Sequence, residues 1–315
     1  MDCKLPRLCP TSMLLLVAVA LTTQGTEAKA QTVPDIAPVP TNLPKYDLGV
    51  TPNVPGVSGR LVNGELQDVI INSPGEYTFA YPVRGTTFHA VSVKSDNVII
   101  RGAEVVGANH DGIKAANQTN VHFVDCNVRD CNFQGFAFHG MTDSSISGCT
   151  STNNGYNPNG GDKFYHGFYF SGDRVRFENN TAKDNADNGI QAYPYVRDCV
   201  IRNNVSEGHD GPGHNRPDRT GYVINTAGNN FILTNVAHEP YESDTSTRWK
   251  FRWSGPPEDS DTIIGNYWQR LKPSSSSDTE ETVTEVETTP TEGKKKKRTR
   301  KASKGIRARG GSSRR

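Results

Sequence analysis

An all-β solenoid of short stacked strands is predicted for most of this 315-residue chain on three observations. First, the pattern Gly-h-x-h, with h apolar or aromatic, returns at Gly112 (GIKA), Gly135 (GFAF), Gly167 (GFYF), Gly189 (GIQA) and Gly221 (GYVI), with a degenerate start at Ala90 (AVSV). The starts lie 22, 23, 32, 22 and 32 residues apart, a base period lengthened twice by a ten-residue insertion. Second, a further strand-like stretch follows each start and brings Ile100, Phe123, Ile146, Phe177, Ile201 and Ile232 into one column. Third, 30 glycines and a mean hydropathy of −0.63 favour many turns over long amphipathic helices.

A repeat near 22 residues with two or three short alternating strands is one coil of a parallel β-helix. Coils stack at about 4.8 Å, and no coil buries its inward side chains without neighbours. Alternation sends Val91, Ile113, Phe136, Phe168, Ile190 and Tyr222 inward, and with them Val93, Ala115, Phe138, Phe170, Ala192 and Ile224. Leucine-rich repeats share the period but need leucines at fixed offsets, which are missing, and propeller blades need about twice the length.

Three residues past the apolar column, Asn180, Asn204 and Asn235 coincide, as expected of stacked amides at a tight turn with left-handed backbone. With this column the chain resembles the secreted right-handed parallel β-helix proteins of the pectate-lyase-like superfamily, over about residues 59–270. The resemblance implies a single-stranded right-handed parallel β-helix. It is specific for fold and not for activity, because the fold hosts lyases, hydrolases, epimerases and adhesins. It implies that the asparagines mark the turn between the second and third sheets, which makes Gly-h-x-h the first sheet. Both insertions, 154–165 and 208–219, then fall in the turn before it, where they flank the outer face of GFYF. Long loops on a regular scaffold usually serve function.

The ends read differently. Lys4 and Arg7, the apolar run Met13–Leu21 and AKA at 28–30 have the order of a secretory signal cleaved before Gln31. The apolar run is too short to span roughly 30 Å of hydrocarbon, so a secreted, periplasmic or cell-surface location is expected. Residues 31–58 are proline-rich and aperiodic, an extended lead-in. The tail from 271 to 315 is acidic and then densely basic, too polar for a core and expected to be disordered. Between 31 and 272 there are 20 Lys/Arg against 26 Asp/Glu, so the folded part is mildly acidic. The folded part is not expected to bind nucleic acid; the basic tail suits polyanions. A monomer is expected.

On the first sheet the outward column is Ser92, Lys114, Ala137, Tyr169, Gln191 and Val223. Two places on stand Lys94, Ala116, His139, Ser171, Tyr193 and Asn225, and just before the glycines His89, Asp111, Gln134, His166, Asn188 and Thr220. Such a face suits a polysaccharide, since rings stack on sugars, amides bond hydroxyls and cations meet uronate carboxylates. β-Elimination of a uronide needs a base for the C5 proton, a positive group at the carboxylate and an acid for the leaving oxygen. His166 or Lys163 is the candidate base, Tyr169 or Tyr193 the acid, and Arg216 or Arg219 the neutraliser, with Lys114, His139, Gln191 and Asn188 as further substrate contacts. A non-catalytic glycan-binding or structural β-helix is the rival reading, and the acidic body favours it, since polyanions are repelled.

The paired carboxylates of glycoside hydrolases are missing from this face; FHG and YHG only echo a Gly-His-Gly motif, and NRPDR (215–219) is a faint reminder of the pectate-lyase arginine motif. NHDG (109–112) reads as a structural loop. No cofactor is required, no metal-ligand set is assigned, and calcium is compatible with the resemblance. No phosphate loop, dinucleotide fingerprint or CxxC site occurs. Cys126 and Cys149 share one position on successive coils, close enough for a disulfide or for stacking as free thiols. Cys131 and Cys199 have no obvious partner. Asn117, Asn179 and Asn204 stand in glycosylation sequons.

Overall fold

A computed structural model describes residues 33–49, 54–156, 165–208, 221–239, 251–253, 261–270 and 285–286. Among the described residues there is no α-helix, and nearly all strands pair in parallel. The first sheet stacks Glu65–Ile71, Val91–Val93, Ile113–Ala116, the leading halves of Phe136–Ser147 and Phe168–Glu178, then Ile190–Arg197, Tyr222–Thr226 and Phe251–Trp253. Phe136–Ser147 and Phe168–Glu178 run on round the corner into the second sheet. The third sheet stacks Val83–Gly85, Glu104–Ala108, Asn127–Arg129, Thr150–Thr152, Thr181–Lys183, Val205–Glu207, Val236–Glu239 and Tyr267–Arg270.

The register is the predicted one. Ile100 pairs with Phe123, Phe123 with Ile146, Ile146 with Phe177, Phe177 with Ile201 and Ile201 with Ile232. Both inward columns of the first sheet are buried. Phe168 stacks on Phe136 at 4.7 Å, and Phe170 on Phe177 at 4.6 Å. The recurring glycine is explained by close approach: a Cβ on Gly135 would stand 2.1 Å from Ser151 Oγ, and one on Gly167 2.6 Å from Asn185 Nδ2. The chain enters the first sheet pressed against the third, and only glycine leaves room.

The asparagine column is a buried ladder at the turn between the second and third sheets. Asn180 Nδ2 donates to Asn204 Oδ1 at 3.0 Å, Asn204 to Asn235 at 2.8 Å and Asn235 to Asn266 at 2.8 Å. The residue before each rung has left-handed backbone, at Asn179, Asn203, Thr234 and Gly265. Cys126 and Cys149 occupy the same position as free thiols, and the Cys149 N–H donates to Asn180 Oδ1 at 2.9 Å. The other two cysteines also head ladders. The Cys131 N–H donates to Asn154 Oδ1 and the Cys199 N–H to Asn230 Oδ1, each at 3.0 Å. Asn204 is fully buried in its rung, so its sequon is closed in the folded chain, whereas Asn117 and Asn179 are exposed.

The lead-in is more than an extended approach. Lys45–Leu48 adds a strand beside Gly75–Phe79, and Ile36 is buried against Val200 and Phe231. Val57–Val62 forms an antiparallel hairpin with Glu65–Ile71 around Asn63-Gly64, both at positive φ, a favoured two-residue turn. Among the described residues Glu65–Ile71 is the first strand of the first sheet. The signal and nearly all of the tail lie outside the described residues. Among the described residues no helix is long and apolar enough to cross a membrane.

Candidate functional site

The outer faces of the second and third sheets are largely occupied by ion pairs, among them Arg101–Glu76 (2.7 Å), Arg202–Glu178 (3.0 Å), Arg129–Glu104 (3.2 Å) and Lys183–Glu207 (2.9 Å). The outer face of the first sheet differs. Lys114, Tyr169 and Gln191 lie on one register row, because Lys114 pairs with Ala137, Ala137 with Tyr169 and Tyr169 with Gln191. The His139 ring sits 4.8 Å from Tyr169, and Tyr169 lies 6.5 Å from Tyr193. His139 and Tyr169 are half-buried and Tyr193 is 40% exposed, so the strip is open to a ligand. Ala137, Val223 and Ser171, expected to point outward, are buried.

Burial, with the Lys114 charge adding to it, pulls the His139 imidazole below its ordinary pKa, and so keeps it neutral. Burial, reinforced by the neighbouring Tyr193, pushes the Tyr169 phenol up, which keeps its proton on.

His166 gathers with the strip, its ring 5.7 Å from Tyr169, but it is not accessible as expected. It is only 2% exposed, and its Nδ1 accepts the backbone N–H of Asn188 at 3.2 Å. It is one rung of a polar ladder just outside the first sheet. The Gln134 N–H donates to Asp111 Oδ1 at 3.2 Å, and the His166 N–H donates to Gln134 Oε1. Each side chain in this column satisfies the backbone of the coil above, a structural duty that burial makes obligatory. The same Nδ1 lies 3.5 Å from Asp187 Oδ2. Asn188, expected as a sugar contact, is another buried rung, whose amide donates to Gln191 Oε1 at 3.1 Å.

Lys163, Arg216 and Arg219 lie outside the described residues, as do 157–164 and 209–219 of the two insertions. The flanking residues place both insertions in the turn from third to first sheet, between Thr150–Thr152 and Phe168–Glu178 and between Val205–Glu207 and Tyr222–Thr226.

One external column went unread in the sequence. Phe88, His110, Phe133 and Tyr165 stack ring on ring at 4.2, 3.8 and 4.2 Å along the coils. Their spacing is that of the glycines two places on, so the signal was present as position but not as residue type. Beside this stack, Asp111 Oδ2 lies 3.0 Å from His110 Nδ1, 3.4 Å from His89 Nδ1 and 3.6 Å from Lys114 Nζ. NHDG is therefore half of a packed charged cluster at the foot of the strip. Burial pushes the Asp111 carboxyl up, but the adjacent His110, with Lys114, outweighs it and holds the group low. Burial drives the His89 imidazole down to about 4, so at neutral pH its contact with Asp111 is not an ion pair. With one carboxylate, the cluster lacks the six to eight oxygens that calcium takes.

A family match agrees with this architecture. The family described as right handed beta helix region matches residues 89–242. Among solved structures, the chain is similar to pectate lyase Pel9A, at 13% identity over 71% of this chain and 69% of that one, with a TM-score of 0.40. It is similar to ORF18 of Geobacillus virus E2 at 13% identity over 68% and 55% (TM-score 0.43). It is also similar to an alginate lyase from Paenibacillus sp. str. FPU-7 at 15% over 63% and 80% (TM-score 0.41). No curated protein sequence matches significantly. The described residues adopt the right-handed parallel β-helix fold that this match describes.

Proposed function

We propose that this β-helix is an exported enzyme that cleaves a uronate-containing polysaccharide by β-elimination on the outer face of its first sheet. The observation that carries the reading is the row of Lys114, His139, Tyr169, Gln191 and Tyr193 on neighbouring coils, while the other two faces are largely tied up in ion pairs. Lys114 meets the uronate carboxylate, the neutral His139 imidazole takes the C5 proton, and the Tyr169 phenol gives its proton to the departing O4. Tyr193 and Gln191 hold adjoining sugars by stacking and hydrogen bonding. His139 is preferred to His166 as base, a preference supported by the burial of His166 and the partial exposure of His139.

The test is incubation of the signal-free protein with a panel of uronic-acid polymers, following the ultraviolet absorbance of unsaturated chain ends. Wild type should generate it, and His139→Ala and Tyr169→Phe should each lower the rate by roughly 100-fold or more, the usual worth of a general acid or base. Glycan binding without new absorbance would favour the rival, a non-catalytic glycan-binding β-helix. That rival draws support from Lys114, which already lies beside a carboxylate.

A further inference from the structure

We infer that His89, His110 and Asp111 form a binding site for a first-row divalent transition metal, zinc being the natural occupant by ligand type. The three donor atoms, the two Nδ1 atoms and Asp111 Oδ2, lie within 4.8 Å of one another. The carboxylate oxygen is 3.0 Å from one imidazole nitrogen and 3.4 Å from the other. A tetrahedral ion with bonds of about 2.0–2.1 Å sets its ligands roughly 3.3 Å apart, so the two separations from the carboxylate oxygen suit a coordination sphere.

The second observation is independent of spacing. Both Nδ1 atoms are buried, neither has an aligned hydrogen-bond partner among the described residues, and the His89 side chain is only 8% exposed. A buried polar atom without a partner is destabilising, and here two converge on one carboxylate oxygen.

The surroundings fix the donors as supporting groups in metal sites do. The other Asp111 oxygen is occupied by the Gln134 N–H, which aims Oδ2 into the cluster. The His110 ring is clamped between Phe88 and Phe133. His110 is 24% exposed and Lys114 33%, which leaves an entrance on the solvent side. Two imidazoles and one carboxylate select zinc, cobalt or nickel over calcium or magnesium. Lys114 supplies the resident positive charge at Asp111, and the metal takes its place.

Metal-stripped full chain would be titrated with Co²⁺, read by visible ligand-field absorption, and with Zn²⁺ by calorimetry. One ion per chain is expected, with Ca²⁺ failing to compete. His89→Gln, His110→Gln and Asp111→Asn should each weaken binding by at least the roughly 10–100-fold that loss of a supporting group costs. Lys114→Met, which removes the competing charge, should tighten it. Ring-nitrogen NMR of the unaltered protein, requiring no variant, should show two histidines shifting at Nδ1 on addition of Zn²⁺. Absence of binding, binding unaltered in both histidine variants, or equal competition by Ca²⁺ would overturn the assignment.

Discussion

Replacement of Asn204 by Ala tests the ladder that sets the coil register. The Asn204 side chain is fully buried and makes four hydrogen bonds. Its Nδ2 donates to Phe177 O at 3.0 Å and Asn235 Oδ1 at 2.8 Å, and its Oδ1 accepts the Asn180 N–H at 2.9 Å and Asn180 Nδ2 at 3.0 Å. After truncation Asn180 Nδ2 still reaches Ile146 O, and Asn235 Oδ1 still accepts the Asn204 N–H. The Asn180 N–H and the Phe177 carbonyl lose the bonds that Asn204 gave them. At about 1–3 kcal/mol for each buried orphan, the variant should lose about 2–6 kcal/mol. Asn204→Cys should lose less, because Cys126 and Cys149 fill this position naturally and the Cys126 thiol reaches Ile100 O at 3.6 Å. Urea unfolding followed by far-ultraviolet circular dichroism gives both values. A loss below about 1 kcal/mol for Asn204→Ala, within the ordinary worth of one net hydrogen bond, would refute the reasoning.

Further expectations follow from the same geometry. Phe168→Ala should cost about 3–5 kcal/mol in the same assay, through a cavity beneath Phe136 and Phe177. Tyr169→Phe should stay within about 0.5 kcal/mol of wild type, since it removes only an outward hydroxyl, so any loss of activity in that variant is chemical. Thr234 holds a left-handed φ of 52° that β-branched residues rarely adopt, and Thr234→Asn should raise stability by about 1 kcal/mol in thermal unfolding. Burial, with the nearby Arg101 and Arg176 charges, drives His122 from 6.5 down to about 4. A depressed folded pKa means that the unfolded chain binds the extra proton first. Its contribution is therefore intact above about 6.5 and falls away towards pH 4. The stability of wild type should decline across that window more steeply than that of His122→Gln.

The fold was legible because a solenoid repeats its inward chemistry. Ile100 through Ile232 must fill the same slot on every coil, so one residue class recurs at one spacing, and the glycines recur because a Cβ at Gly135 or Gly167 would collide with the third sheet. The asparagine ladder was legible for the same reason, one side chain doing one job. The column Asp111, Gln134 and His166 does one job with three residue types, and the aromatic stack mixes Phe, His and Tyr. Neither shows as identity in the sequence.

The sequence by itself determined the strand periods, the inward columns, the positions of both insertions and the row that carries Lys114, Tyr169 and Gln191, because alternation and period are local properties of the backbone. Only the tertiary structure decided that His166 is a buried rung while His139 stands open, that the cysteines stay free at the heads of ladders, and that His89, His110 and Asp111 meet. Exposure and contact of an outward side chain depend on which side chains from adjacent coils lean over it. That is set by packing between coils, which spacing along one chain does not specify.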